Sequence, residues 1–459
     1  MRAKLVEQPE LRFAGPRLKL TQEYYDKYDR ISRILDENRS ILDLIHADLV
    51  AHEGEGDVAR FRYASDVVLR VSVCQLVEGL SLRQTIVRID TCEALRSFTR
   101  IEGGKMIDFS TFCRLRNAIS PGTWAQINLV LARYAVEQEA ISGTSLRLDT
   151  TAVETNIHWP TDSTLLVDLY RSTKQCLDQV RDLEASLLRD RRFHLPAVRK
   201  LALRITRKGG RKGTSTDTLK PLYKRLIGQV EQILSTASKA ATRLRSKRHP
   251  GPNAQRHALA DRIDSLQAVG ARVLSQARRR VLQGESVPND EKIFSIFEPH
   301  SELLKRGKAG KPIEFGHMIQ IQQVDEKFIT DYTVFERKPA EPALLEDALA
   351  SHRALFGEEP CRLAADKGYY DRTLVEELRK TIDVVSIAKK GKRTPKETEQ
   401  EHDPIFRHAQ RFRAGVEGTI SYRKRALGLA RCLCKGWKNY QSTIGASIFA
   451  HNLLILARC

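Results

Sequence analysis

The sequence lacks several features that would assign it to common classes of protein. Its eight cysteines include no CxxC pair, which argues against a structural zinc site and against a secreted disulfide framework. Its most apolar segment, ASIFAHNLLILARC, is interrupted by His451 and Asn452, so no membrane span is expected. The N-terminal MRAKLVEQPELRF lacks the apolar core of a signal peptide. We therefore expect a soluble, reduced, cytoplasmic protein.

Acidic residues are scarce in two segments of a chain whose formal net charge is +20. Residues 191–250 contain 17 Lys or Arg and 2 Asp or Glu, and residues 404–436 contain eight Lys or Arg and a single acid, Glu417. So one-sided a charge favours a polyanionic partner. We predict that the first segment contacts DNA phosphates through bases that include Arg204, Arg207, Lys208, Arg211 and Lys212. The presence of Glu417 among so many bases requires a chemical explanation.

The N-terminal part, residues 22–140, has apolar residues at the three- and four-residue spacing of helices. A short helix after IDFSTF would be capped by Ser110 or Thr111 and would expose Arg114 and Arg116. Short helices in tandem suit a DNA-binding helix-turn-helix arrangement and equally suit an ordinary helical bundle.

From residue 145 the pattern changes, because SLRLDTTAVETNIHWP alternates and is rich in β-branched residues, as in a strand. Residues 163–285 are again helical in pattern. Three further strands are predicted: KIFSIF (292–297), IEFGHMIQIQQV (313–324) and KFITDYTVF (327–335).

The remaining segments alternate between the helical and the extended pattern. A helix, ALLEDALASHRALF, is followed by the strand CRLAAD, a helix over 372–380 and the strand DVVSIA. The charged segment KKGKRTPKETEQEHD is predicted to be a loop, and a final helix carries residues 411–425.

This order predicts an α/β protein with a ribonuclease-H-like catalytic domain built from residues 141–162 and 290–459. An N-terminal helical domain, residues 1–140, would precede it and would bind DNA. A basic helical insertion, residues 163–289, would follow the first strand. That fold needs three strands before its first helix, so one of the four predicted strands is surplus.

Three carboxylates are predicted to meet in this fold. Asp149 lies within the first strand and Asp366 ends a strand that the topology puts beside it, while Glu417 lies on the last helix. Such oxygen ligands suit Mg²⁺ or Mn²⁺, and two of these ions promote in-line displacement at phosphorus. Arg413, Glu417 and Lys424 share one helical face. The alternative for Glu417 is a surface ion pair with Arg413.

Two glycines flank this acid in a predicted helix interior. Gly415 and Gly418 are unfavourable there by roughly 1 kcal/mol each, so each needs a reason. Close approach by another backbone or by a phosphate would be such a reason.

Three separated stretches, DTTAVETNIHWPTDSTLL, ADKGYY and FRAGVEGTISYRKRALGLARCLCKG, resemble the DDE transposases of bacterial insertion sequences, in particular the ISNCY group. The resemblance implies that Asp149, Asp366 and Glu417 hold the catalytic metals. A related family signature has Tyr, Arg, Glu and Lys around the glutamate. Arg413, Glu417 and Lys424 keep its last two spacings, whereas Gln410 stands where the Tyr would be.

The function implied is metal-dependent cleavage at the ends of a mobile element and transfer of the freed 3′-hydroxyl into target DNA. A homodimer or higher oligomer would act on double-stranded DNA in the bacterial nucleoid. Trp159 would stack on an unpaired base or simply pack, and the bases expected to hold phosphates are Arg413, Arg423, Lys424 and Arg425. The alternatives are a nuclease of the same fold that does not join DNA, and a DNA-binding protein with an inactive catalytic domain.

Overall fold

A computed structural model describes residues 18–53, 63–101, 105–188, 191–210, 216–246, 253–305, 312–337 and 339–458. The chain divides into two compact units. Met1–Glu154 and His317–Cys459 form the first unit, and Thr155–Gly316 form the second. The predicted boundary at residue 140 therefore falls inside the first unit and does not separate two compact bodies.

Helices occupy the described part of the chain before the first strand, as the apolar spacing predicts. They are α1 (Lys19–Glu37), α2 (Arg39–Glu53), α3 (Ser65–Val77), α4 (Leu82–Thr91), α5 (Glu93–Thr99), α6 (Phe109–Ala118) and α7 (Pro121–Glu137). Their buried side chains share one hydrophobic core with residues of the last helix (446–457). This shared core explains why the N-terminal helices belong to the same unit as the C-terminal part of the chain.

The start of α6 differs from the sequence prediction. Asp108 caps the helix, because its side chain accepts a hydrogen bond from the Ser110 amide at 2.8 Å. The predicted caps, Ser110 and Thr111, are wrong, since both lie in the first turn of the helix.

A mixed sheet follows the N-terminal helices. The strands of the described residues are β1 (Ser145–Thr155), β2 (Glu302–Lys305), β3 (Ile313–Gln323), β4 (Ile329–Val334), β5 (Arg362–Ala365), β6 (Val384–Ile387) and β7 (Arg431–Cys432). β1 is central, with β5 and then β6 parallel to it on one side and β3 on the other. β4 is antiparallel to β3, and β7 pairs with β1.

The second unit is built mainly from helices, as the sequence predicts for residues 163–285. They are α8 (Asp162–Leu183), α9 (Leu195–Gly209), α10 (Lys220–Leu244) and α11 (Asn253–Ala277), with a π-helical segment at Arg278–Gln283. Their apolar faces pack into a core of their own. β2 pairs antiparallel with residues 313–316, where β3 begins.

The strand predicted at KIFSIF is wrong. Side chains accept hydrogen bonds from two backbone amides of this segment, where a neighbouring strand would otherwise do so. The Ile293 amide donates to Oε1 of Gln276 at 2.8 Å, and the Ser295 hydroxyl accepts from the amides of Phe297 and Glu298.

The rest of the first unit follows the predicted order of strands and helices, with two helices, over 395–402 and 437–456, and the short strand β7 in addition. Its helices are α12 (Ala343–Phe356), α13 (Arg372–Leu378), α14 (Pro395–His402), α15 (Pro404–Ala426) and α16 (Trp437–Leu456). α12 coincides with its predicted segment. α14 is a correction, since it lies in the predicted charged loop, where Thr394 and Glu397 form a capping box with Pro395 at the first helical position.

Candidate carboxylate site

Asp149 and Asp366 lie on neighbouring strands, as predicted. β1 and β5 are parallel, and their paired residues run from Ser145 with Arg362 to Leu148 with Ala365. Asp149 and Asp366 are the next residues along the two strands, so both carboxylates lie at the same edge of the sheet. Each carboxylate accepts a hydrogen bond from the amide that follows it, at 2.7 Å and 2.8 Å respectively.

α15, the helix that carries Glu417, packs against β5 and β6. The contact between α15 and β1 is made by Arg147. Its Nη1 donates to the Phe412 carbonyl oxygen at 2.6 Å, and its guanidinium carbon lies 4.5 Å from the centre of the Phe412 ring. Its Nε donates to Gln323 at 2.8 Å. A buried arginine thus joins the helix to the middle of the sheet.

Gly415 leaves room for this guanidinium. A Cβ at Gly415 would lie 2.5 Å from Nη1 of Arg147, closer than real Cβ contacts allow. The predicted close approach therefore exists, although a guanidinium makes it and not a backbone or a phosphate. At Gly418 a Cβ would meet no described heavy atom within 4 Å, so the structure gives no reason for a glycine there.

The three carboxylates influence one another. The pKa of Asp149 is raised to about 6, chiefly by burial and to a smaller extent by the charges of Asp366 and Glu417. The Thr150 amide and the charge of Arg413 oppose this rise. In such surroundings the negative charge of the carboxylate is poorly compensated, and a cation at the site would favour the ionised form.

Glu417 itself is directed towards Arg413. Oε1 of Glu417 lies 3.4 Å from Nη2 of Arg413, and the Glu417 side chain is 66% exposed. The ion pair that the i,i+4 spacing allows is therefore present. Among the residues that the structure describes, no group of three or more His, Cys, Asp or Glu side chains could hold a metal ion. Asp149 and Asp366 share one edge of the sheet, and within the described residues Glu417 is not assembled with them into a ligand set.

The bases near the end of α15 occupy different faces of the helix. Arg425 is exposed and Lys424 is half-buried. Arg423 is 1% exposed, and within the described ranges none of its three guanidinium nitrogens has a hydrogen-bond partner. It continues the buried face of Val416 and Thr419, at spacings of seven and four residues. The prediction that Arg423 contacts DNA is therefore wrong, and burial lowers its pKa to about 9.

α15 ends before it reaches the next base along the chain, Arg431. It stops at Ala426, and Gly428 follows with a φ of 68°. Arg431 lies on β7 and forms an ion pair with Glu154 at 2.8 Å. Arg431 therefore does not continue the helical face of Glu417.

Arg114 and Arg116 differ in their surroundings. Arg114 is exposed on α6, as predicted. Arg116 is 9% exposed, and its Nη1 lies 3.8 Å from Sγ of Cys434, so its predicted exposure is wrong. Hydrogen bonding from Cys432 and the nearby Arg116 lower the pKa of the Cys434 thiol to about 5, against the effect of its burial.

The basic residues predicted in the second unit lie on α9. Arg204, Arg207 and Lys208 are exposed, because the buried face of this helix is formed by Val198, Leu201, Ala202 and Ile205. Arg211 and Lys212 fall outside the described residues. Trp159 is 64% exposed and meets the ring of Phe315 edge-on, with 5.4 Å between ring centres. Its predicted stacking on a base stays a prediction.

A fourth carboxylate near the site was missed by the sequence analysis. Oε1 of Glu341 accepts a hydrogen bond from the Thr150 hydroxyl at 3.0 Å. Glu341 lies in the segment between β4 and α12, far along the chain from β1, so no spacing in the sequence could connect the two residues.

Residues 293–453 match the family model of the transposase DDE domain. The matched range contains Asp366 and Glu417 and begins after Asp149. No curated protein and no solved structure matches the chain. The family match indicates transposase function and supports a DDE transposase family, whose members generally use divalent metals. Within the described residues no helix is both long enough and apolar enough to cross a membrane.

Proposed function

We propose that the protein is a DNA transposase that cuts a phosphodiester at the end of a mobile element and transfers the freed 3′-hydroxyl into target DNA. The observation that carries the proposal is the position of Asp149 and Asp366 at one edge of paired parallel strands, in a chain whose C-terminal part matches a transposase DDE domain. The order of strands and helices supports a ribonuclease-H-like catalytic domain of the kind found in the ISNCY group.

Asp149, Asp366 and Glu417 would hold two Mg²⁺ or Mn²⁺ ions in this proposal. Their oxygen donors suit these hard cations, and the raised pKa of Asp149 is the expected property of a carboxylate that lacks its counter-charge. Bound there, the ions would supply an activated water and charge stabilisation at phosphorus. Glu417 can leave Arg413 easily, since an exposed pair of this kind contributes no more than about 1 kcal/mol.

The basic residues would bind and orient the DNA. Arg413 lies one helical turn from Glu417 and would hold a phosphate next to the carboxylates, while Lys424 and Arg425 would extend the contact along α15. Arg114 and the exposed bases of α9 would hold more distant phosphates, and Trp159 would stack on an unpaired base. The active species would be a homodimer or higher oligomer on DNA in the bacterial nucleoid.

Alanine substitution at each acid tests this proposal. Asp149→Ala, Asp366→Ala and Glu417→Ala should each abolish Mg²⁺-dependent cleavage of DNA taken from the flanks of the encoding gene. DNA binding should persist, because it depends on the bases. Glu399→Ala, an exposed glutamate on α14, is the matched control and should cut normally. Near-normal cleavage by any one of the three variants would remove that residue from the site.

A strand-transfer assay with a labelled end and a supercoiled target tests the joining step. The transposase should give joined products that depend on all three acids. Cleavage without joining would mean a nuclease of the same fold. DNA binding without metal-dependent cleavage by the wild-type protein would mean an inactive catalytic domain.

A further inference from the structure

The turn that carries Asp366 is held from two directions. Asp366 caps a short 3₁₀ turn over Lys367–Tyr369, and the Tyr369 amide donates to the Asp366 carbonyl oxygen at 2.9 Å. Nζ of Lys390, which follows β6, donates to the Gly368 carbonyl oxygen at 2.9 Å. On its other side the turn meets Glu341.

Glu341 spans the distance between this turn and β1. Oε1 accepts from the Thr150 hydroxyl, one residue after Asp149, at 3.0 Å. Oε2 lies against Gly368, where a Cβ would overlap it, so a larger residue at that position requires the Glu341 carboxylate to move. The backbone of Glu341 is fixed as well, because its carbonyl oxygen accepts from the Leu344 amide at 3.0 Å in the turn that enters α12.

A buried tyrosine lies among the same groups. Tyr369 is fully buried, and its pKa is raised first by that burial and then by the charges of Glu341, Asp149 and Asp366. Glu341 therefore stands close to both aspartates while its carboxylate is engaged with Thr150 and Gly368.

We infer that Glu341 is a positioning residue: its carboxylate joins Thr150 on β1 to the turn after β5 and thereby holds Asp366 beside Asp149. The inference rests on the proposed function, in which these two aspartates hold divalent cations. Asp366 follows a strand of only four residues, and so short a strand does little by itself to fix the direction of the Asp366 side chain. Partners that orient a ligand are commonly worth about 10- to 100-fold in metal affinity.

Mn²⁺ binding to the full-length protein, followed by electron paramagnetic resonance, tests the inference directly. Glu341→Ala should weaken Mn²⁺ binding about tenfold without lowering the unfolding midpoint. Glu341→Gln should retain most of the affinity, because its amide oxygen still accepts from Thr150. Glu346→Ala, an exposed glutamate on α12, is the control and should bind as the wild type does.

A second pair of variants separates positioning from a general loss of structure. Gly368→Ala should weaken Mn²⁺ binding, because its Cβ displaces the Glu341 carboxylate. In a Glu341→Ala background the same change should cause no further loss, since the space is then free. If Gly368→Ala does not fold, the contrast between the alanine and glutamine variants of Glu341 decides the matter.

Three outcomes would overturn the inference. Unchanged Mn²⁺ affinity in Glu341→Ala would mean that the residue serves only the entry to α12. Equal losses in the alanine and glutamine variants would mean that its charge acts directly on the ion. Absence of Mn²⁺ binding by the wild type would overturn the proposed function as well, whereas wild-type binding with either of the first two results would leave that function standing.

Discussion

Replacing Asp149 by asparagine should stabilise the metal-free protein, and it should do so only at neutral pH. Asparagine keeps the size of the side chain and still accepts the hydrogen bond from the Thr150 amide, while it removes the charge. Burial and the neighbouring acids raise the pKa of Asp149 from 3.8 to about 6. Since a tenfold change in proton affinity is about 1.4 kcal/mol, the ionised carboxylate costs about 3 kcal/mol in the folded state.

The direction of the pH dependence follows from this raised pKa. The folded protein binds the Asp149 proton more tightly than the unfolded chain does, so the wild type loses stability as the pH rises from about 4 to about 6. Asparagine does not titrate. The free energy of unfolding of Asp149→Asn should therefore match that of the wild type near pH 4 and exceed it by up to about 3 kcal/mol above pH 6.

Urea unfolding in EDTA at pH 4.5 and at pH 7.5 measures this difference. Glu399→Gln, at an exposed helical position, is the control and should show the same small effect at both pH values. An Asn variant whose advantage is equal at the two pH values, or absent at pH 7.5, would refute the argument. Under the proposed function, Mg²⁺ at about 1,000 times its Kd should reverse the order at pH 7.5, because a ligand at that concentration contributes about 4.1 kcal/mol to the protein that binds it.

Three further predictions concern the basic residues. Lys424→Ala should weaken binding to the specific DNA end, and its cleavage should partly recover in a DNA titration, whereas that of Glu417→Ala should not, because excess DNA cannot replace a metal ligand. Arg423→Met should leave the urea midpoint unchanged or raise it, since a buried unpaired charge is replaced by an apolar chain of similar length. Replacing the three exposed bases of α9, Arg204, Arg207 and Lys208, by glutamine should reduce the slope of log K for DNA binding against log salt. The control replaces Arg372, Arg379 and Lys380 by glutamine, and an equal change of slope in the control would contradict this prediction.

The sequence predicted secondary structure best where the periodicity of apolar residues is strong. Alternation and β-branched residues predicted β1, and helical spacing predicted α12 and the helices of the second unit. The pairing of β1 with β5 followed from the order of elements, because a strand–helix–strand connection places parallel strands in one sheet. That order was enough to bring Asp149 and Asp366 together.

The errors have specific physical causes. KIFSIF has the composition of a strand, but the Gln276 side chain accepts from its Ile293 amide, and a partner 17 residues away leaves no local signal. α14 could have been predicted, since T-P-K-E is a capping box with proline at the first helical position. Arg423 was misplaced because α15 has few apolar residues, so its pattern does not reveal which face is buried.

Arg147 links the strand that carries Asp149 to the helix that carries Glu417. It precedes Asp149 by two residues, so the two side chains leave β1 on the same face. Arg147 then contacts α15 at Phe412 and at Gly415, two residues before Glu417. A Cβ at 415 would force the Arg147 guanidinium, or the helix, to move. The buried guanidinium, whose pKa burial lowers to about 10, thus sets the spacing between the strand that carries the first acid and the helix that carries the last.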